Sequence, residues 1–269
     1  MKTIKKTNKP VSGTKEWATK NVNFISGCAH DCRYCYAKCI AVRFKRKTSE
    51  NWTIEELNPK SLGTKFRRKE GQIMFPSTHD LTPEHIDSAI IVLENLLKAG
   101  NHVLIVSKPH LEVIHKICIH FQTYKEQILF RFTIGSMNDD VLRFWEPHAP
   151  CFEERLESLR FAYNYGFRTS VSIEPALDAD TFDLVEKLEP WVSDTIWIGL
   201  ANRLKGNLRL NGYGDEETLA KADELKRIQN NNWVKDLADK LEGNSKIRWK
   251  DSIKKILKIE RPMIAGLDE

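Results

Sequence analysis

The chain has 269 residues, 42 of them Lys or Arg and 37 Asp or Glu, for a net charge of +5, with 41% hydrophobic and 29% charged residues. This composition belongs to a folded globular chain of one large domain, or one domain with an appendage, and so small a positive excess identifies no partner. No apolar run approaches the roughly 18 residues of a membrane span, and the lysine-rich stretch Met1 to Lys9 leads into Pro10, Ser12 and Gly13 where an export signal would place its apolar stretch. A cytoplasmic chain with no membrane partner is expected.

Strand-like and helix-like segments alternate along the chain. Val22 to Ser26 is a short apolar run ending at Gly27, followed by a cysteine-rich loop and a helical stretch from about Ala37 to Lys47. Gln72 to Pro76 reads as a second strand. A helix over Pro83 to Lys98 follows, with Thr82 placed to cap it, Ala89, Ile90, Leu93, Leu96 and Leu97 at helical spacing, and Gly100 as its stop. His102 to Ser107 has the continuous apolar character of a buried strand, and Leu111 to His120 reads as a helix. Ile128 to Ile134, Arg168 to Ile173 and Thr195 to Leu200 are further strands. Helices over Asp139 to Trp145, Phe152 to Tyr165 and Asp180 to Leu188 separate them. Strands joined by helices require crossover connections, hence a parallel sheet that is either closed towards a barrel or doubly wound. Beyond Asn202 the chain holds polar helices, and Ile247 to Ile259 reads as an amphipathic helix with Trp249, Ile253, Ile256 and Leu257 on the side facing the barrel.

Four of the six cysteines, Cys28, Cys32, Cys35 and Cys39, fall within twelve residues, while Cys118 and Cys151 stand alone. In a reducing compartment clustered thiols are more often metal ligands than crosslinks. Cysteines spaced by three and then two residues in a tight loop can converge on one inorganic centre, because thiolates are preferred ligands of both iron–sulfur clusters and zinc. Three ligands on a four-iron cube leave one iron open. Four ligands, with Cys39 included, would instead make a closed electron carrier or a structural zinc module.

The segment Gly27-Cys28-Ala29-His30-Asp31-Cys32-Arg33-Tyr34-Cys35-Tyr36-Ala37 resembles the signature of the radical S-adenosylmethionine enzymes, and its wording resembles their spore photoproduct lyase-like (DNA repair photolyase-like) branch. The resemblance continues through Ser77-Thr78-His79-Asp80, Ser107-Lys108-Pro109, Gly135-Ser136, Glu146-Pro147-His148-Ala149-Pro150 and Ile173-Glu174-Pro175, and covers roughly Asn21 to Arg203. It implies an α/β fold, a partial (β/α)6 barrel over 21–203, with a basic N-terminal arm over 1–20 and a helical C-terminal extension over 204–269. It implies a 4Fe–4S cluster held by Cys28, Cys32 and Cys35, S-adenosylmethionine as second cofactor, and a reductant such as flavodoxin or ferredoxin. Tyr34 is then expected beside the adenine and Lys108 opposite the cofactor's carboxylate. Thr78, His79 and Ser136 are expected along its methionine and ribose. On this reading Cys39 is an ordinary helix residue and His30 packs near the cluster. One departure matters: where the lyases proper carry a hydrogen-donating cysteine, this chain has Ser77. An O–H bond is far stronger than an S–H bond, so the resemblance does not extend to thymine-dimer repair by the lyase mechanism.

Three basic clusters stand out: Arg43 to Lys47, Lys65 to Lys69, and a tail with Lys246, Arg248, Lys250, Lys254, Lys255 and Lys258. The first two interleave Phe44 and Phe66 with cations, which suits phosphate neutralisation beside base stacking. Nucleic acid therefore stands as a candidate substrate or platform beside a peptide or small metabolite.

Overall fold

A computed structural model of the protein describes residues 10–266. The basic stretch at Met1 to Lys9 lies outside the described residues. One parallel sheet forms the frame, with its strands side by side in chain order: β1 (Lys20–Asn21), β2 (Gln72–Phe75), β3 (His102–Ser107), β4 (Ile128–Thr133), β5 (Arg168–Ile173), β6 (Ile196–Ile198) and β7 (Ile247–Trp249). Between them run α1 (Tyr36–Arg43), α2 (Ile86–Lys98), α3 (Leu111–His120), α4 (Asp139–Trp145), α5 (Phe152–Asn164) and α6 (Thr181–Leu188). Four helices belong to the C-terminal region: α7 (Leu204–Leu210), α8 (Glu216–Ile228), α9 (Asn231–Lys240) and α10 (Asp251–Leu257). The result is an open, partial barrel. No helix among the described residues is long and apolar enough to cross a membrane.

The strands are apolar throughout because both of their faces are covered. Val103, Ile105, Phe130, Phe132, Val171 and Ile173 point outwards into the main core beneath the helices. The alternate positions Met74, Leu104, Val106 and Leu129 point inwards and cluster with Trp17 and Trp197, as the two-residue period of a strand requires. Val11, Trp17 and Ala18 are buried, so the inner half of the expected N-terminal arm is part of the packed structure.

Two elements differ from the sequence expectation. The apolar run Val22 to Ser26 does not supply the first sheet strand. That strand is Lys20–Asn21, and Ile25–Ser26 pairs antiparallel with Glu56–Leu57 in a separate ribbon. The backbone N–H groups of Phe24 and Ile25 turn to His79 Nε2, at 3.4 and 3.3 Å, and this draws the chain off the sheet towards the cysteine loop. In the tail, Ile247–Trp249 is a seventh strand, parallel to β6, and only Asp251–Leu257 is helical. A three-residue strand is too short to display alternation, and Ile253, Ile256 and Leu257 kept the whole tail looking helical.

β7 delivers Lys250 into the barrel. Its ammonium lies 4.1 Å from the Trp17 ring centre, 2.9 Å from Glu16 Oε1 and 3.4 Å from Glu174 Oε2, joining the N-terminal segment, the end of β5 and the tail. Gly199 permits the approach, since a Cβ there would stand 2.9 Å from Lys250 Cβ and 3.0 Å from Glu174 Cγ. Removing one partner of a buried ion pair leaves the other charge uncompensated. Lys250→Ala should therefore lower the unfolding free energy in urea by about 3–5 kcal/mol; a loss typical of an exposed pair, under about 1 kcal/mol, would contradict this role.

Candidate active site

The cysteine loop leaves the ribbon at Gly27, whose φ is +102° and where a Cβ would fall 2.4 Å from Ile54 O and 2.7 Å from Trp52 O, so only glycine fits. Cys28 N–H then donates to Trp52 O at 3.0 Å. Asp31 takes a left-handed conformation, φ 47°, which Asp tolerates better than most residues, and its carboxylate is held by Lys38 Nζ at 2.7 Å and by the Tyr213 hydroxyl. Cys35 N–H donates to Cys32 O at 3.0 Å, and Cys35 Sγ accepts Lys38 N–H at 3.4 Å as the N-cap of α1. Cys28 and Cys32 are each 5% exposed and Cys35 is half-buried. Cys39 lies one turn further along α1.

The C-terminal helices clamp this loop. Asn211 Nδ2 donates to the carbonyls of Arg33 and Cys35, both at 2.9 Å, and Asn207 Nδ2 to that of Tyr34 at 3.4 Å. The Arg33 guanidinium sits 4.4 Å from the Phe144 ring centre and 5.0 Å from that of Tyr213, and donates to Thr218 Oγ1 at 2.9 Å. Sequence reasoning missed all of these contacts. An asparagine on a polar helix carries no local mark of what it will bind.

A buried set of charges faces the thiols. Lys108 N–H donates to Asp80 Oδ1 at 2.8 Å, and Lys108 Nζ lies 3.4 Å from Asp80 Oδ2 and 5.9 Å from the Tyr34 ring centre. Burial opposes both charges, but Asp80 holds the Lys108 ammonium well above its ordinary pKa, and Lys108 with His30 holds the Asp80 carboxyl well below its own. His30 Nδ1 lies 2.9 Å from Asp80 Oδ2, and its Nε2 lies 2.9 Å from His110 Nε2. His110 Nδ1 in turn lies 3.5 Å from Glu154 Oε1, so a chain of titratable groups runs from the loop to the surface. Beside it, the Tyr34 hydroxyl donates to Glu146 Oε1, and Glu146 Oε2 pairs with Arg155 Nη2 at 2.6 Å, with both side chains fully buried. Burial pushes the Glu146 carboxyl up, yet Arg155 and Lys108 more than reverse this and hold it below the ordinary range.

Burial pushes the thiols of Cys28, Cys32 and Cys35 upwards in pKa, and the Cys28 thiol is raised further by Asp80 and by its two partners. A bound metal deprotonates thiols of this kind when they coordinate it.

Of the remaining residues singled out from the sequence, His79 faces the backbone. It is buried behind the loop, its Nε2 accepting from Phe24 and Ile25 and its Nδ1–H donating to Asp80 O at 3.0 Å. Both ring nitrogens are committed to backbone, and burial holds its pKa down to about 4, so it shapes the entry to the loop as a neutral imidazole. Thr78 is half-buried, with its N–H on Asn23 Oδ1 at 3.1 Å. Ser136 is fully buried, donating to Asp178 and accepting Asn138 N–H at 2.9 Å. Ser77 Oγ bonds the Asn23 side chain at 3.1 Å. Cys118 is a core residue of α3 and Cys151 is exposed ahead of α5.

Three thiols gathered at the mouth of a parallel partial barrel lie beside a buried lysine and a half-buried tyrosine, a donor set whose chemistry suits an iron–sulfur cluster. Residues 22–188 match the Radical SAM superfamily, and the chain belongs to that family. Its members hold a 4Fe–4S cluster and bind S-adenosylmethionine. The chain is 29% identical over 198 residues to an uncharacterised protein of Acidianus two-tailed virus, covering 68% of this chain and 64% of that protein. It is 25% identical over 178 residues to an uncharacterised protein of Methanocaldococcus jannaschii, covering 64% and 66%. The match thus spans a little under two thirds of these relatives. Among solved structures it is similar to spore photoproduct lyase complexed with dinucleoside spore photoproduct, with TM-score 0.55, 12% identity, and coverage of 93% of this chain and 80% of that one. It is also similar to SuiB of Streptococcus suis bound to S-adenosylmethionine, with TM-score 0.52, 12% identity, and coverage of 90% and 52%. At such identities the likeness is one of fold.

The buried Glu146–Arg155 pair fixes Tyr34, and its loss should be measurable as stability. Glu146→Gln should cost about 3 kcal/mol in unfolding free energy at pH 7. Because the folded carboxyl lies below its ordinary value, its contribution is complete above the unfolded pKa of about 4.3 and disappears as pH falls through the folded one. The gap between variant and wild type should close towards low pH, and a gap independent of pH down to acid unfolding would contradict the assignment.

Proposed function

We propose that the protein reductively cleaves S-adenosylmethionine and uses the resulting radical to abstract hydrogen from an organic substrate, with Cys28, Cys32 and Cys35 as the cluster ligands. The observation that carries this reading is the gathering of three thiols on one loop, two buried and one half-buried, beside a buried, carboxylate-anchored lysine. Thiols whose burial disfavours ionisation suit a site completed by iron. Cys39 lies within α1 beyond the loop, which favours three ligands over a closed four-cysteine electron carrier or zinc module. When bound, the cluster supplies one electron that splits the sulfonium into methionine and a 5′-deoxyadenosyl radical, the hard chemistry being the cofactor's own.

The chain's residues bind and position. Lys108 is assigned to the carboxylate of the methionine moiety, with Asp80 keeping it charged and aimed. Tyr34, fixed by Glu146, is assigned to the adenine face, and the Thr78 hydroxyl to the methionine side. The walls of the barrel mouth keep water from a radical that would otherwise react with it. Clustered thiols of this kind suit a reducing, cytoplasmic setting, and a flavodoxin- or ferredoxin-type protein is the reductant such chemistry calls for.

As to substrate, Arg68 and Lys69 line a cleft with Gln72, His102, Ile128 and Arg168, at the opposite ends of the strands from the cysteine loop. Lys250 and Lys254 are buried. Arg43 to Lys47 lies at the outer end of α1, and Lys47 there is buried against Glu56 at 2.8 Å, so no basic cluster is assigned to the substrate.

Anaerobic reconstitution with iron and sulfide should yield a brown protein that forms 5′-deoxyadenosine on reduction with dithionite. Cys32→Ala should lose both the absorbance and the product; retained cleavage would overturn the ligand assignment. Lys108→Met should raise the Kd for S-adenosylmethionine at least about tenfold, or 1.4 kcal/mol, and an affinity equal to wild type would remove Lys108 from the cofactor site.

A further inference from the structure

α1 starts at the ligand Cys35 and runs outwards from the loop, and its sides differ. Ala37 and Ala41 pack on buried Trp52, whereas Tyr36, Ile40 and Phe44, spaced by four and so on one side of the helix, are 46, 41 and 66% exposed. The Tyr36 hydroxyl turns in to donate to Ser77 O, which leaves Ile40 and Phe44 as adjoining exposed apolar side chains on this side of the helix. Arg43, Lys45 and Arg46 are exposed at its outer end. Among the described residues no carboxylate lies within 4.0 Å of any of these three cations, whereas the next residue, Lys47, is buried against Glu56 at 2.8 Å. Lys45 has a left-handed φ of 54°, so the chain turns sharply at the end of α1.

We infer that this face of α1 is the docking site for the protein that reduces the cluster, an acidic one-electron carrier of the flavodoxin or ferredoxin class. The inference rests on the radical reading of the site. Its first support is position. Elsewhere the cysteine loop is covered by the strand ends, α7 and α8, through Asn207, Asn211, Tyr213 and Thr218, while the uncovered side of α1 lies one helix away from Cys35. Electron transfer falls off steeply with distance, so a carrier must approach from a side where little protein intervenes. The second is composition: an exposed apolar surface with cations at one end suits a transient interface, and unpaired positive charge selects and steers an acidic partner. A nucleic-acid strand fits less well. Ile40 at the centre offers no ring for a base to stack on, and the cations gather at one end instead of tracking a backbone along a groove. In the reaction the carrier gives up one electron for each S-adenosylmethionine cleaved.

The test uses the reconstituted full chain, with 5′-deoxyadenosine measured under two donors, reduced flavodoxin and dithionite. Two variants are compared with wild type: Phe44→Ala, and the triple charge reversal Arg43→Glu, Lys45→Glu and Arg46→Glu. With flavodoxin, the KM for the carrier should rise about tenfold or more in each variant, while the dithionite-driven rate stays within about twofold of wild type. Calorimetric binding of flavodoxin to wild type should weaken steeply with added NaCl. Variants equal to wild type with flavodoxin would overturn the docking site, as would equal losses with both donors, or a wild type that turns over with dithionite but not with flavodoxin. Binding of a short single-stranded oligonucleotide that the charge reversal abolishes, with flavodoxin turnover unchanged, would overturn it in favour of nucleic acid. Absence of 5′-deoxyadenosine from wild type with both donors would instead sink the radical reading beneath it.

Discussion

Three thiols gathered in one loop, two buried and one half-buried, are the constraint around which the site is arranged. Burial and the nearby carboxylates of Asp80 and Glu146 all disfavour the thiolate form that a metal requires. The opposing charge at Cys32 is supplied by the Lys108 ammonium. Each acid has a buried base: Asp80 has Lys108 and His30, and Glu146 has Arg155. The charges facing the cysteine loop are therefore paired with one another in a buried network.

Holding that network in place draws on distant parts of the chain. Gly27 lets the loop turn beneath Ile54, His79 pulls the chain off the sheet to reach it, and α7 and α8 grip its carbonyls and Arg33 from the far side. At the centre of the barrel, Lys250 ties the tail and the N-terminal segment to the end of β5. The C-terminal helices are thus structural partners of the cysteine loop, and the tail that delivers Lys250 is a strand of the same sheet.

The alternation of β2 to β5 with their helices was legible because longer, two-sidedly buried strands and amphipathic helices leave strong periodic marks, and the three residues of β6 sit within the apolar run Thr195 to Leu200. β1 and β7, two and three residues long, leave none. In the site, Cys28, Cys32, Cys35, Tyr34 and Lys108 come together as their order along the sequence suggested. The orientation of His79 was not legible, because position after a strand does not reveal which way a ring turns, and here it accepts from two backbone N–H groups. Asn207, Asn211 and Tyr213 were invisible for a different reason: their meaning lies wholly in tertiary contact. Arg155 could have been flagged, since an arginine among the apolar positions of α5 must find a buried acid.

The account turns on three protein ligands and one iron left for S-adenosylmethionine. The most direct test is the electron paramagnetic resonance spectrum of the reduced, reconstituted Cys39→Ala variant, recorded without and with S-adenosylmethionine. A reduced four-iron signal that changes when the cofactor is added is the expected result. A missing signal, or one indifferent to the cofactor, would contradict it.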